Sequence, residues 1–286
     1  MKDFSIVLTG SGDGLCILSK NGFIPKGGRH NIELETGITL KKEQLFFRNN
    51  SDSNFYYVER ALIPINGWKW VPLITLKKLE KNFGAFLCEV LGKFWNVMPD
   101  FQKKLGHIRL PKLFKKKKIS DEAIFYPGSF NPWHRGHMAC LNLCPSKSKI
   151  IVVPDNNPWK VMGRESCKWE KYRKLCLILK DSPCSIYPGF LGLGIKNPTI
   201  NWFPKTRVKK KALLMGDDSF LSLINWKESK KLISAIQKIY VVPRLGTKEE
   251  FKIATKRLLV INSKLKIKFL SPHKFQKLSS TKIRGD

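Results

Sequence analysis

The chain has 286 residues, enough for one large domain or two smaller ones with a sizeable core. It carries 53 lysine and arginine residues against 22 aspartate and glutamate residues, a formal net charge of +31. This excess favours anionic ligands, but the lysines are spread along the whole chain, so charge alone does not indicate nucleic-acid binding.

The cysteines and the apolar runs indicate where in the cell the protein is expected. The seven cysteines form neither a CxxC pair nor a Cys/His zinc pattern, which predicts reduced thiols. The apolar run after Met1 is too short for a signal peptide, and no uncharged apolar run reaches the length of a membrane span. We therefore expect a cytoplasmic protein without a membrane span.

The first part of the chain is predicted to form a smaller α/β domain. Residues 5–9 have the pattern of a strand, and 10–14 that of a strand-to-helix turn. Four consecutive lysines at 115–118 are typical of an exposed linker, with a nucleic-acid-binding run as the alternative. We place the boundary there, with residues 1–119 before it and 120–286 after it.

From residue 120 onward, predicted strands and helices alternate. Apolar runs predict strands at 123–126, 149–153, 212–215, 239–242 and 266–270, and periodicity predicts helices at 165–180, 228–236 and 247–263. Thr247, with Glu250 three residues later, forms a capping box at the start of the last helix. Alternating βα units predict a parallel, doubly wound sheet with ligand sites at the carboxyl ends of its strands.

The stretch 123–138 has the most specific pattern in the chain. Pro127 and Gly128 are predicted to break the first strand, and His134 and His137 follow at the start of a helix. Backbone N–H groups, a helix N-terminus and two imidazoles are suited to holding phosphate. Gly136 would let the backbone close up where a side chain would block the ligand. An ordinary loop is the alternative.

Two motifs carry a family resemblance. Gly128-Ser-Phe-Asn-Pro-Trp-His-Arg-Gly-His137 resembles the signature of the adenylyl- and cytidylyltransferases that carry an HxGH motif. The second signature of that family, Ser-Ser-Thr-x-x-Arg, is matched by Ser279-Ser-Thr-Lys-Ile-Arg284. The resemblance covers roughly residues 121–286 and implies a Rossmann-like nucleotidyltransferase domain.

Segments after two predicted strands narrow this resemblance. Asn157-Pro-Trp-Lys160 and Met215-Gly-Asp-Asp-Ser-Phe220, with Trp226 beyond, are similar to the bacterial nicotinate mononucleotide adenylyltransferases. The threonine-rich, acidic segment of that family is represented here only by Pro198-Thr-Ile-Asn-Trp202.

The resemblance implies transfer of the adenylyl group of ATP to nicotinate or nicotinamide mononucleotide in NAD biosynthesis. His134 and His137 would be the catalytic donors to the phosphates, and either can become cationic beside phosphate. A Mg²⁺ bridging the phosphates, with few protein ligands, is expected with ATP. ATP would be bound by Gly128, Ser129, Phe130, Lys160, Ser280, Thr281 and Arg284. The acceptor would be bound by Asn157, Thr199, Asp218 and Trp226, although a core aromatic is the alternative for Trp226.

Other interpretations remain open at this level. Residues 8–29, with Pro25-Lys-Gly-Gly28, resemble the nicotinamide-nucleotide amidase domain, which would make the acceptor. The alternative is a degenerate or purely structural N-terminal domain. A protein of another class, a catalytically silent nucleotidyltransferase-like protein that binds nucleic acid through its basic surface, is the rival function. The sequence leaves a homo-oligomer open.

Overall fold

The described residues of the computed structural model form two β-sheets, one in each half of the chain. These residues are 5–11, 14–41, 45–48, 54–58, 63–76, 87–88, 91, 122–155, 168–182, 184–187, 190–191, 197–206, 208–280 and 283. The predicted lysine-rich linker lies outside them, so the predicted domain boundary stays a prediction.

The first sheet is mixed. Its strands are β1 (Ser5–Ser11), β2 (Gly14–Ser19), β3 (Leu45–Arg48), β4 (Asn54–Val58) and β5 (Lys69–Pro72), in the order β3-β4-β1-β2-β5. Helix α1 (Arg29–Thr36) follows β2. The strand predicted at 5–9 is confirmed, but the predicted strand-to-helix turn after it is wrong. Ser11 pairs with Gly14 in an antiparallel hairpin, because residues 14–19 pair with strands on both sides.

The second sheet is wholly parallel. Its strands are β6 (Glu122–Gly128), β7 (Ile150–Pro154), β8 (Cys184–Ile186), β9 (Lys210–Gly216), β10 (Lys238–Val242) and β11 (Lys266–Phe269). They lie in the order β11-β10-β9-β6-β7-β8, the arrangement of a doubly wound nucleotide-binding fold. The helices are α2 (Arg135–Asn142), α3 (Lys168–Ile178), α4 (Asp217–Ser222), α5 (Ser229–Ala235) and α6 (Lys248–Ile261). The predicted fold class is confirmed.

Three local predictions change. β6 continues through Pro127 and Gly128, which pair with Val153 and Pro154 of β7, so the strand ends later than predicted. β8, which the sequence did not predict, is a three-residue edge strand, too short for a periodic pattern. The short helix α4, which follows β9 directly, was also not predicted.

Both faces of the central strand β6 are buried. Ile124 and Tyr126 belong to the hydrophobic cluster on one face of the sheet, and Ala123 and Phe125 belong to the cluster on the other. A strand covered on both faces reads as a continuous apolar run, which is why 123–126 shows no polar alternation.

The N-terminal half shares a core with helix α3. Ile17 and Leu73 belong to the same buried cluster as Trp169 and Tyr172 of α3, and Trp169 Nε1 donates to the Leu76 carbonyl at 3.0 Å. The first sheet therefore packs on the second half of the molecule through this helix. Among the residues with described placement, no helix has the length and apolar character needed to cross a bilayer. The cytoplasmic location stays a prediction.

The capping box of α6 gives a prediction of stability. Thr247 Oγ1 accepts from the Glu250 N–H at 3.2 Å, and the Glu250 carboxylate accepts from the Thr247 N–H at 2.8 Å. We expect Thr247→Ala to lower the free energy of unfolding by about 1 kcal/mol, because a helix N–H loses its acceptor. Urea unfolding measures this, with Lys252→Ala on the exposed face of α6 as the control. Equal effects of both substitutions would contradict a capping role.

Candidate active site

A cavity of about 250 Å³ opens at the carboxyl end of the parallel sheet. It lies where β6 and β9 are neighbours, the point at which the strand order changes direction. Eight residues with predicted site roles line it: Gly128, Ser129, Phe130, His134, His137, Asp218, Trp226 and Ser280. Thr199 lies in a 3₁₀ turn and is not among the described lining residues. Asn157, Lys160, Thr281 and Arg284 lie outside the described residues.

The two histidines are held by the first turn of α2. His134 is the N-cap, and its Nδ1 accepts from the Gly136 N–H at 3.1 Å. His137 Nδ1 accepts from the His134 N–H at 3.3 Å, and the two rings stack with centroids 3.7 Å apart. Because each Nδ1 is an acceptor, each neutral ring carries its proton on Nε2. The pair therefore presents Nε2–H donors.

Gly136 makes room for a neighbouring side chain. A Cβ at this position would lie 3.0 Å from Nδ1 and Cε1 of His134 and 3.5 Å from the Phe275 carbonyl oxygen. The missing side chain makes room for the imidazole that caps the helix. The glycine thus helps to position a histidine, and because Gly136 also lines the cavity, its predicted role toward the ligand stays a prediction.

The electrostatics of the cavity favour neutral imidazoles. Burial lowers the pKa of His134, and the charges of Arg244 and His273 lower it further. The pKa of His273 is lowered first by burial and then by Arg244. Its Nδ1 accepts from the Phe275 N–H at 3.1 Å, and its Nε2 lies 3.9 Å from Cys140 Sγ. The expectation that His134 becomes cationic is therefore opposed by its surroundings in the ligand-free protein.

A cluster of aromatic side chains packs against the His137 ring. The Phe130 ring meets the His137 ring edge-on with centroids 5.1 Å apart, and it also packs against Tyr126 and Trp133. Phe130 adopts a positive φ of 45° and is buried. A Cβ at Gly128 would approach the Phe130 ring to 3.0 Å. These contacts show that Gly128 and Phe130 shape the loop. Their predicted contact with ATP stays a prediction.

One hydrogen bond joins the two signatures, which are far apart in sequence. Ser280 Oγ donates to the Pro132 carbonyl at 3.0 Å across a separation of 148 residues. Ser279 and Ser280 line the same cavity as the histidines. The fold therefore brings the start of the second signature against the loop of the first.

The predicted acceptor side lies across the cavity, on α4 and the turn after it. Asp218 is exposed at the first turn of α4 and lines the cavity. Trp226 also lines the cavity, packs in part against the core, and donates from Nε1 to Ser222 Oγ at 3.3 Å. Both readings of Trp226 thus have structural support, since one part of the ring is in the core and another faces the cavity.

The sequence did not predict Arg244 and His273, which line the cavity, or Asp217, which accepts from the backbone of Arg244. Asp217 is buried, and one of its oxygens, Oδ2, accepts from the N–H groups of Arg244, Leu245 and Gly246 at 2.6–2.8 Å. Burial alone would raise the pKa of Asp217, but these backbone donors outweigh it and hold the pKa below its usual value. The available signal was position, since Asp217 and Arg244 come just after predicted strands.

The donor set gives little support for a protein-built metal site. Among the described residues, no group of three or more His, Cys, Asp and Glu side chains is placed to hold a metal ion. Asp218 is the one carboxylate among the cavity-lining residues with described positions. The Mg²⁺ expected with ATP, held mainly by phosphates and water, stays a prediction.

The fold and the site together define an α/β nucleotidyltransferase domain: a doubly wound parallel sheet with an HxGH helix cap at the switch point. The chain belongs to the cytidylyltransferase-like family, whose model matches residues 125–286. The match begins at residue 125, so the amidase-like character of the N-terminal part stays a prediction.

The curated relatives that match this chain are named as adenylyltransferases. The probable nicotinate-nucleotide adenylyltransferase of Flavobacterium psychrophilum is 30% identical over 132 residues, 43% of this chain and 67% of the relative. The enzyme of the same name from Helicobacter pylori is 31% identical over 144 residues, 46% of this chain and 80% of the relative. A solved structure of Plasmodium falciparum nicotinic acid mononucleotide adenylyltransferase complexed with NaAD aligns with a TM-score of 0.44 and 17% identity, over 58% of this chain and 83% of that one.

The buried carboxylate gives a prediction of pH-dependent stability. We expect Asp217→Asn to cost roughly 1–3 kcal/mol of unfolding free energy at neutral pH, because backbone donors lose a charged acceptor. Since the folded-state pKa of Asp217 is lowered, its contribution is present above the ordinary value of about 4 and is lost as the pH falls through the folded value. The difference between wild type and variant should therefore shrink below about pH 4 in denaturant titrations. Asp218→Asn, at the exposed neighbour, is the control, and an equal cost there would contradict this assignment.

Proposed function

We propose that this protein transfers the adenylyl group of ATP to nicotinate mononucleotide, giving the dinucleotide and pyrophosphate in NAD biosynthesis. The observation that carries the proposal is that the first signature and the start of the second, Ser279 and Ser280, line one cavity at the switch point and are joined by the Ser280–Pro132 hydrogen bond. The names of the curated relatives support nicotinate as the acceptor ring.

The chemistry needs no protein nucleophile. The 5′-phosphate of the acceptor is itself the anionic nucleophile, and it attacks the α-phosphorus of ATP while pyrophosphate leaves. Cys140 is the thiol that lines the cavity, and burial raises its pKa, so it stays protonated and unreactive. The rate then depends on positioning the two phosphates and on donors aimed at the developing charge.

The histidines supply those donors. The Nε2–H groups of His134 and His137 are fixed by their Nδ1 hydrogen bonds, so they need no reorientation when charge shifts onto the leaving pyrophosphate. A neutral imidazole also does not lose a proton to the phosphate, so it keeps its donor throughout the reaction. The N-terminus of α2 adds the positive end of its dipole.

The remaining roles follow the family resemblance. Asp218 would accept from the ribose hydroxyls of the acceptor, and Trp226 would offer a ring face to the pyridine. Lys160, Thr281 and Arg284 would bind the ATP phosphates, and Asn157 and Thr199 would contact the acceptor. A Mg²⁺ ion would arrive with ATP and neutralise phosphate charge, with Asp218 as the nearest carboxylate candidate for its water shell.

A pyrophosphate-release assay with ATP, Mg²⁺ and a panel of acceptors tests the proposal. We expect turnover with nicotinate mononucleotide and a lower kcat/KM with nicotinamide mononucleotide. The expected preference rests on the names of the relatives, which are nicotinate-nucleotide adenylyltransferases. Equal or amide-favouring values would overturn the acceptor assignment. No turnover, together with a nucleic-acid affinity that falls steeply with salt, would favour the silent binding protein.

Histidine 137 provides the sharpest test of the site. We expect His137→Ala to lower turnover at least ~100-fold, the usual effect of losing one preorganised donor to transition-state charge. His137→Phe keeps a ring to pack against Phe130 but lacks the donor, so it should be equally slow. His137→Gln can restore an N–H donor and should be faster than both.

The control is His30→Ala, at an exposed position on α1, which should keep wild-type turnover. Near-wild-type turnover in His137→Ala would mean that the catalytic site is misassigned. Circular dichroism and thermal melts of each variant separate lost chemistry from lost folding.

A further inference from the structure

Arg244 occupies an unusual position in the cavity. It follows β10, the strand next to β9, and it lines the same cavity as the histidines. Of the described residues that line this cavity, it is the one permanently cationic side chain. The roles proposed for the histidines, Asp218 and Trp226 do not involve Arg244.

The backbone of Arg244 is held by the Asp217 carboxylate. Its N–H and those of the next two residues all donate to Asp217 Oδ2, at 2.7, 2.6 and 2.8 Å. Three successive N–H groups around one anionic oxygen form a rigid concave turn. Because Asp217 is the first residue of α4, this turn is tied to the helix that carries Asp218.

The side chain of Arg244 reaches the segment that leads into the second signature. Its Nε donates to the Gln276 carbonyl at 2.9 Å, and its Nη2 donates to the Leu278 carbonyl at 2.8 Å. Gln276 Nε2 donates back to the Pro243 carbonyl at 3.2 Å. Segment 276–278 is thus bound to the turn at 243–244 in both directions, directly before Ser279 and Ser280.

We propose that Arg244 is a positioning residue of the nucleotide subsite, whose planar guanidinium holds segment 276–278 so that Ser279 and Ser280 face the histidine pair before ATP binds. The inference rests on the proposed function, since it takes ATP as the ligand. The hydrogen bonds run from Asp217 through Arg244 to segment 276–278, and then from Ser280 to the Pro132 carbonyl beside His134. Helix α4, which carries Asp218, the loop of the first signature and the start of the second signature are therefore parts of one connected framework.

The geometry demands arginine rather than any cation. Two carbonyl oxygens, of Gln276 and Leu278, are engaged by different nitrogens of one rigid plane, which a lysine ammonium cannot reproduce. The charge of the side chain has a second, separable effect, since it helps burial to lower the pKa of His134. A lysine would keep the charge and lose the fork, and a methionine would lose both.

The experiment compares Arg244→Lys, Arg244→Met and the control Arg257→Met in the full chain. Arg257 is exposed on α6 and does not line the cavity, so its loss removes the same charge elsewhere. ATP affinity is measured by isothermal titration calorimetry, and kcat and the two KM values by pyrophosphate release. We expect both Arg244 variants to weaken ATP binding and raise the ATP KM at least ~10-fold, with the acceptor KM changed less than about threefold. The control should match wild type in every measurement.

An NMR titration of the five histidines gives a readout that a merely structural role would not move. The groups facing His134 are the stacked His137, His273 and Arg244, with Asp218 and Cys140 on the same cavity. The pKa of His134 should rise in Arg244→Met and stay low in Arg244→Lys, while ATP binding is weak in both.

Gln276→Ala is a second variant, for use if an Arg244 variant does not fold. It leaves Arg244 intact, and it should raise the ATP KM about threefold.

The outcomes separate the two proposals. Wild-type ATP affinity in Arg244→Lys would show that charge alone matters and would overturn the positioning role. A loss of ATP and acceptor affinity in the same proportion, tracking a lowered Tm, would also overturn it. If wild type binds ATP but makes no dinucleotide, the proposed function fails, while the calorimetric comparison still decides the part of Arg244.

Discussion

The cavity depends on one constraint of chain topology, the change of direction between β6 and β9. After β6 the chain lays β7 and β8 on one side, and it then returns to lay β9, β10 and β11 on the other. The connections that leave β6 and β9 must therefore diverge, and a crevice opens at their carboxyl ends. The loop after Gly128 enters this crevice with the histidines, α4 enters it with Asp218, and Arg244 stands at the end of the next strand. Parallel pairing sets these ends at one edge, so no long loop is needed to bring them together.

Among the described residues of this crevice, positive character is supplied mostly as oriented dipoles rather than as charge. His134 and His137 both use Nδ1 to accept a backbone N–H, which leaves Nε2–H as their donor. Burial and the charge of Arg244 keep His134 neutral, while Arg244 commits two of its own N–H groups to backbone carbonyls. Donors fixed in this way need not reorganise as charge develops on a phosphate. The cost of arranging them is met during folding, which explains why a buried carboxylate and a helix cap are built into the same framework.

The sequence predicted what is decided locally and missed what is decided by distant partners. The capping box at Thr247 was predictable because its partners lie three residues apart, and the strand before Gly128 because an apolar run suffices. β8 was not, because its three residues become a strand only by pairing with β7. Of the adjacent pair at the start of α4, nothing local shows that Asp217 is buried and Asp218 exposed. That choice is made by the turn at 244–246, which lies far along the chain.

The net charge of +31 does not by itself determine what the cavity binds. Among the described lining residues, the charges of Arg244 and Asp218 oppose each other, so these residues offer a phosphate short-range donors rather than a net charge. The field of the remaining lysines acts at longer range, where salt screens it over about 10 Å at 0.1 M, and it raises the encounter rate of any anion alike. Such a field cannot distinguish a nucleotide from a nucleic acid. Under the proposed function, the histidine donors at the N-terminus of α2 would make this distinction, because they would meet a phosphate held within the crevice rather than one along an extended surface. The arrangement of these donors, rather than the count of lysines, therefore carries the functional assignment.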